Sequence, residues 1–299
     1  MLPNLIIPGA PKSGTSTLYR WLSDHPAVQG ARLKEVEFFI DLGWHSQNEE
    51  ANAHSANLDA YERFFDGWAG TGEPRLIVES TPAYMYQQTA LRDLPDLPSK
   101  PHLLFLVREP AAQIKSTFDY FQNNWQHIPA DWAFADYVAA LEAGRADFSQ
   151  NELVVNALDY ARYDKWLDKW RDAVGTERMT VLGMERFFSD ARSGMVSLCD
   201  QFGLDPAFYD AYDFPRENET YRVKSQALQS LNVRVRALLP RNNALYNGLR
   251  AVYRKVNTGS KQAIGDDADG AAMDRLKARY AALPATLAQT YGLDLSHWR

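Results

Sequence analysis

The sequence predicts an α/β fold: a central parallel sheet flanked by helices. Two observations carry this. Four short apolar runs, Leu5–Ile7, Leu76–Val78, Leu103–Val107 and Met179–Leu182, have the continuous hydrophobicity of strands buried on both faces. Helical patterns separate most of them, and strands alternating with helices build a parallel sheet covered on both sides.

The elements follow in chain order. Ser16–Leu22 reads as a first helix, with Leu18, Trp21 and Leu22 on one face. Gln113–Phe121 reads as a second. Ala157–Trp170 reads as a third, carrying Tyr160, Tyr163, Trp166 and Trp170. The polar segment 43–72 reads as an insertion, and 122–150, with Trp125, Trp132 and Phe134, as a cap near the site. Residues 227–239 and 244–256 read as two amphipathic helices. Gly265–Gly270 reads as a flexible linker before a last helix. There is no internal repeat, and residues 1–299 are expected to form a single domain.

The bulk numbers narrow the function. With 299 residues, 45% hydrophobic and 23% charged, the chain is long enough for a large core. Cys199 is the single cysteine, which excludes an internal disulfide framework. The six histidines have no metal-ligand spacing. No apolar run reaches 18 residues, and Leu5-Ile6-Ile7 enters a glycine-containing loop at once, so the expectation is a cytoplasmic protein without a signal peptide. The net charge of −6 argues against nucleic-acid binding. That charge is uneven. Residues 222–261 hold nine basic residues and no acidic one, which points to a local anionic partner.

The most informative stretch is Gly9-Ala10-Pro11-Lys12-Ser13-Gly14-Thr15-Ser16-Thr17. It follows a strand and opens a helix, so backbone N–H groups and the helix N-terminus converge on an anion. It is similar to the Walker A loop but carries Thr15 at the lysine position, with the lysine moved to Lys12. A kinase loop needs its lysine on the β/γ-phosphates and a hydroxyl on Mg²⁺. Pro11–Leu18 instead resembles the 5′-phosphosulfate loop of the sulfotransferases that use PAPS (3′-phosphoadenosine-5′-phosphosulfate), above all the heparan-sulfate type and its bacterial relatives. The resemblance implies a P-loop NTPase-like three-layer fold, no metal requirement, and Lys12, Ser13, Gly14, Thr15, Ser16 and Thr17 on the donor's 5′ end.

Two further stretches extend the resemblance. Leu103–Val107 is a strand ending in Arg108-Glu109-Pro110, with Ser116 eight residues after Arg108. An arginine offers a planar, bidentate match to phosphate. R-x-P-x₅-S resembles the family's 3′-phosphate signature, which implies Arg108 and Ser116 as its ligands. For Arg108 alone, a surface ion pair with Glu109 or another acid is the plain alternative. Lys34-Glu35-Val36-Glu37-Phe38-Phe39 resembles K-E-x-x-F-F, which implies Glu35 as the general base, with Glu37 ranked second. Phe38 and Phe39 are expected to raise the pKa of Glu35. Glu79-Ser80-Thr81-Pro82-Ala83-Tyr84 resembles E-K-[ST]-P-x-Y, with Ser80 where the family carries lysine. That departure leaves Lys12 as the main cation and sets a polyanionic glycan acceptor in doubt.

The resemblance thus implies sulfuryl transfer from PAPS to a hydroxyl or amine, giving PAP, with a carbohydrate or lipid-linked glycan among the acceptors. A small-molecule kinase using ATP–Mg²⁺ and a non-catalytic PAP-binding protein are the alternatives. Family members close a late basic loop over the nucleotide, which makes Arg222 and Lys224 candidate ligands. The same basic segment also reads as helices lying on anionic lipid, a peripheral membrane contact, or as solvated faces of packed helices. Trp125, Trp132 and Tyr84 read either as a sugar-stacking cleft or as core.

Overall fold

The computed structural model describes residues 1–46, 51–68, 70, 72–145, 147–148, 151–216, 222–223, 258–259 and 267–298. The chain divides into two compact units. The first comprises 1–113, 160–218 and 280–299, and the second 114–159 and 219–279.

The first unit holds a five-stranded parallel sheet. Its strands are β1 (Leu5–Gly9), β2 (Val28–Gly30), β3 (Leu76–Glu79), β4 (His102–Val107) and β5 (Met179–Gly183). Their order is β2-β3-β1-β4-β5. All four predicted strands are present. β2 is the one the sequence did not show, because Val28-Gln29-Gly30 has no apolar run. It is held by pairing with β3, Val28 against Leu76 and Gly30 against Val78. The chain leaves β1 toward β2 and β3 on one side and continues to β4 and β5 on the other. The carboxyl ends of β1 and β4 therefore flank the switch in connection direction, where open parallel sheets place ligands.

The helices up to β4 are α1 (Thr15–Ser23), α2 (Leu58–Glu62) and α3 (Gln88–Asp93). After β4 come α4 (Pro110–Trp125), α5 (Phe134–Glu142), α6 (Glu152–Val155), α7 (Ala157–Tyr160) and α8 (Tyr163–Val174). α9 (Met184–Ser189) and α10 (Ala191–Phe202) follow β5, and Asp267–Arg279 and Leu283–Tyr291 are the last helices. Leu18, Trp21 and Leu22 of α1 are buried against Leu5, Ile7, Val78, Leu104 and Leu106, with Met195 and Leu198 of α10 in the same core. Trp21 is fixed at both ends. Its indole donates to Pro215 O at 2.8 Å, and its carbonyl accepts from Tyr209 OH at 2.7 Å.

Two local expectations are corrected. The helix expected over Ala157–Trp170 is two helices. The Tyr160 carbonyl, which would accept the amide four residues on, takes the Tyr86 hydroxyl at 3.1 Å, and the two rings stack at 3.8 Å. The expected linker is helical over its described part, Asp267–Gly270. Asp267 and Asp269 favour a helix N-terminus electrostatically. Asp269 also accepts the Ala135 amide at 2.9 Å, in the first turn of α5.

Residues 43–72 supply core as well as surface. Tyr61 of α2, and Phe64 and Phe65 of the turn after it, are buried. In the second unit, Phe118, Phe134, Tyr137 and Phe148 form an aromatic cluster, and Trp132 packs on Phe148. The segments expected as helices at 227–239 and 244–256 lie outside the described residues. Arg222–Val223 pairs antiparallel with Thr258–Gly259.

Candidate active site

Glycine and proline shape the loop after β1. Pro8 lacks an N–H, and the pairing of β1 with β4 slips between Ile6 and Gly9, as a bulge does. Ala10 N then returns to Leu106 O at 2.7 Å. Gly14 takes φ 85° at the N-terminus of α1, where a Cβ would lie 2.5 Å from the Phe188 ring. Thr17 N and Leu18 N both bond Gly14 O, at 3.0 and 3.1 Å. Among the described residues the N–H groups of Gly14, Thr15 and Ser16 meet no backbone acceptor, and the first turn of α1 carries no acidic residue. This is an anion-ready helix start.

Side chains join the loop to the end of β4. Arg108 Nη1 donates to Lys12 O at 3.0 Å, and Gln113 Nε2 donates to Pro11 O at 3.1 Å. Both anchors read from the sequence in this unit therefore meet. Among the described residues Arg108 forms no ion pair with Glu109. Its carboxylate caps α4, accepting the amides of Ala111 at 3.0 Å and Ala112 at 2.6 Å. Glu185, just past β5, accepts Glu109 N at 3.0 Å and the Trp298 indole at 2.8 Å. Ser13 is buried, and so is Tyr163 at the start of α8. Among the described residues neither hydroxyl closes a well-formed hydrogen bond. Burial holds the Tyr163 phenol well above its ordinary range, with the Arg108 backbone opposing. Ser116 is buried in the second unit, on α4.

The loop after β2 carries the acidic pair. Glu35 and Glu37 both adopt left-handed backbone, φ 61° and 56°. The Glu35 side chain is 46% exposed and pairs with Lys34 at 2.5 Å. Phe38 and Phe39 turn inward, against Tyr61 and Tyr84. Glu37 accepts from Ser46 Oγ at 3.1 Å. The loop lies along the segment after β3, with Glu35 N on Ser80 O at 3.2 Å. There Glu79 is fully buried and accepts Tyr61 OH at 2.5 Å and Thr81 Oγ1 at 2.7 Å. Burial pushes its pKa up to about 7, against the pull of those hydroxyls, Tyr84 and Lys34. Tyr84 is buried in this cluster, which removes it from any sugar-stacking cleft.

Sequence reading missed Tyr61, Glu79, Gln113, Tyr163, Glu185 and Trp298 as parts of this region. Glu79 carried a signal, a charge closing an apolar strand. Tyr61 carried none, since its contact joins distant segments, while Trp298 closes a terminal stretch, Gly292–Trp298, that resembles the end of bacterial relatives.

No family model matches the chain. Several curated proteins do. A membrane-associated sulfotransferase of Dictyostelium discoideum is 28% identical over 125 residues, 42% of this chain and 24% of its own length. A bifunctional heparan sulfate N-deacetylase/N-sulfotransferase of Drosophila melanogaster is 22% identical over 62% of this chain and 18% of its own. A mouse heparan sulfate glucosamine 3-O-sulfotransferase is 23% identical over 89% of this chain and 64% of its own. The chain is thus similar to sulfotransferases, over 42% to 89% of its length. It spans less than two thirds of the length of each of these curated relatives.

The fold agrees with that of a solved sulfotransferase from Alicyclobacillus acidocaldarius, with TM-score 0.61 and 21% identity over 100% of this chain and 99% of that one. Within the sulfotransferase pattern, Ser80 stands out. It is fully buried, its hydroxyl unpartnered among the described residues, where the family motif carries lysine. No helix among the described residues is long and apolar enough to cross a membrane.

Proposed function

We propose that this protein is a sulfotransferase that transfers a sulfuryl group from PAPS to a hydroxyl or amine acceptor, releasing PAP. The observation that carries this is the Arg108 guanidinium on the Lys12 carbonyl, which joins the two nucleotide anchors at the switch point of the sheet. The amides of Gly14 to Ser16 and the unpartnered Ser13 hydroxyl suit the oxygens of a 5′-phosphosulfate. Arg108 takes the 3′-phosphate in this reading, with Ser116, Arg222 and Lys224 as further candidate ligands, of which Lys224 lies outside the described residues.

The reaction is an in-line displacement at sulfur. The acceptor oxygen or nitrogen forms a bond to sulfur as the bond from sulfur to the 5′-phosphate oxygen breaks. Glu35 takes the acceptor proton, and its half-exposed carboxylate is open to an incoming molecule. Lys12 and the loop amides stabilise charge on the equatorial sulfuryl oxygens and on departing PAP. The acceptor is the open part of this proposal, and contact with anionic lipid through the segment 222–261 is a further proposal resting on its charge.

The test is thermal stability with PAP plus EDTA, with ATP–Mg²⁺, and without ligand, since a ligand that binds only the folded state raises the melting temperature. The expected result is stabilisation by PAP without metal, abolished in Arg108→Ala. Stabilisation by ATP–Mg²⁺ alone overturns the reading in favour of a kinase.

A further inference from the structure

We propose that Glu79 is a positioning residue: its buried carboxylate orients hydroxyl clamps on the acidic loop and thereby holds Glu35 in place. The proposal rests on reading Glu35 as the base.

The argument starts from a ladder that no strand pairing explains. Alternate amides of the loop, at residues 35, 37, 39 and 41, each donate to the segment 80–87. Glu35 N meets Ser80 O, Glu37 N meets Thr81 Oγ1 and Phe39 N meets Tyr84 OH, each at 3.2 Å. Asp41 N meets Gln87 Oε1 at 2.8 Å, and the Asp41 carboxylate accepts Gln88 N and Thr89 N at the start of α3. Three of the four acceptors are side-chain atoms. The backbone between them is strained at Glu35 and Glu37, and such strain persists only where the surroundings over-determine it.

Glu79 sets the direction of these bonds. A backbone N–H can only donate, so Thr81 Oγ1 must accept from Glu37. Its own proton then goes to Glu79 Oε1, at 2.7 Å. Tyr61 OH donates to the other oxygen at 2.5 Å. An ionised carboxylate accepts both, and such a chain strengthens cooperatively. A proton on Glu79 reverses or removes one of the two bonds. The groups facing Glu79 are Tyr61 from α2, Thr81 and Tyr84 from the segment after β3, Tyr19 from α1 and Lys34 from the acidic loop. Lys34 favours the ionised form, and burial opposes it, so the clamp is poised to titrate near neutrality.

The experiment measures amide exchange at Glu37 and Phe39 in the full chain between pH 5.5 and 8.5, corrected for intrinsic rates. It is paired with PAP binding and with PAP release from PAPS with water as acceptor. In the wild type, protection at both amides should rise at least tenfold as pH passes about 7. Glu79→Gln should abolish that pH dependence and slow PAP release about tenfold in kcat, with KM for PAPS within twofold. Equal protection and an equal pH profile in Glu79→Gln overturn the proposal. If that variant does not fold, Thr81→Val decides: exchange should quicken at Glu37 and not at Phe39, and an unchanged Glu37 overturns it. Failure of the wild type to bind PAP overturns the nucleotide assignment instead, and leaves the exchange result readable.

Discussion

The loops after β1 and β2 both hold left-handed backbone at the edge of one sheet, and they do so by different means. The β1 loop places Gly14 at φ 85° and one strained residue, Lys12, at φ 64°, and bonds mainly through backbone, with Arg108 tied to the Lys12 carbonyl and Gln113 to that of Pro11. The β2 loop places Glu35 and Glu37 at φ 61° and 56° and depends on side-chain acceptors over a buried carboxylate. A loop that cradles an anion needs its N–H groups exposed, and glycine makes that shape at little cost at position 14, while Lys12 is strained as the glutamates are. A loop that presents a carboxylate needs a side chain where glycine would be easier, so the strain must be balanced by neighbours. The first solution is written in one short motif. The second is spread over residues 34 to 87.

Substitutions separate the two. The largest effect is expected at the reacting groups. Lys12→Ala and Glu35→Gln should each lower kcat by about 10²–10³-fold with the fold intact, measured by PAP release and circular dichroism. Wild-type turnover in Glu35→Gln would remove the base assignment. Next is the pH dependence of stability. Raising the Glu79 pKa from 4.5 to about 7 means the folded state holds a proton that the unfolded state has released between those values. The Glu79 contribution is therefore most favourable below pH 4.5 and is lost as pH rises through 7, a change of roughly 3 kcal/mol. Urea melts of wild type and Glu79→Gln should show the wild type losing stability relative to the variant over that interval. The opposite slope would refute the burial argument.

Arg108→Ala should weaken PAP by about 10–100-fold, the scale of a charge-assisted hydrogen bond, read as a lost shift in melting temperature. The smallest effects compare the two backbones directly. Gly14→Ala should cost about 1–3 kcal/mol, since the new methyl meets Phe188 at positive φ. Glu37→Gly should change stability by less than about 1 kcal/mol, because glycine accepts φ 56° and offsets its greater unfolded-state freedom. Equal costs at both positions would erase the distinction between the loops.

How much was legible follows the same division. The sheet was readable because parallel strands buried on both faces must be apolar throughout, and Leu103–Val107 is the plainest case. β2 was not, because three residues with a glutamine gain their place only from the neighbouring strand. The phosphate loop was readable because glycine, lysine and hydroxyl residues at fixed spacing constrain one another within nine positions. Arg108 was named from its motif, but its partner, the Lys12 carbonyl, is a backbone atom 96 positions away in sequence. The break between α7 and α8 was hidden for the same reason, since the Tyr86 hydroxyl that takes the Tyr160 carbonyl belongs to another segment.

The sequence by itself therefore determined the α/β class, four of the five strands of the sheet and the short stretches whose chemistry is local. Only the tertiary structure decided that Glu79 is a buried acid rather than a strand-end charge, that Glu109 is a helix cap, and that Tyr61 meets Glu79, 18 positions on in the sequence. The physical reason is range. Periodicity and turn chemistry act between neighbours along the chain, while burial and the polarity of a hydrogen-bond chain are set by whichever residues the fold brings together.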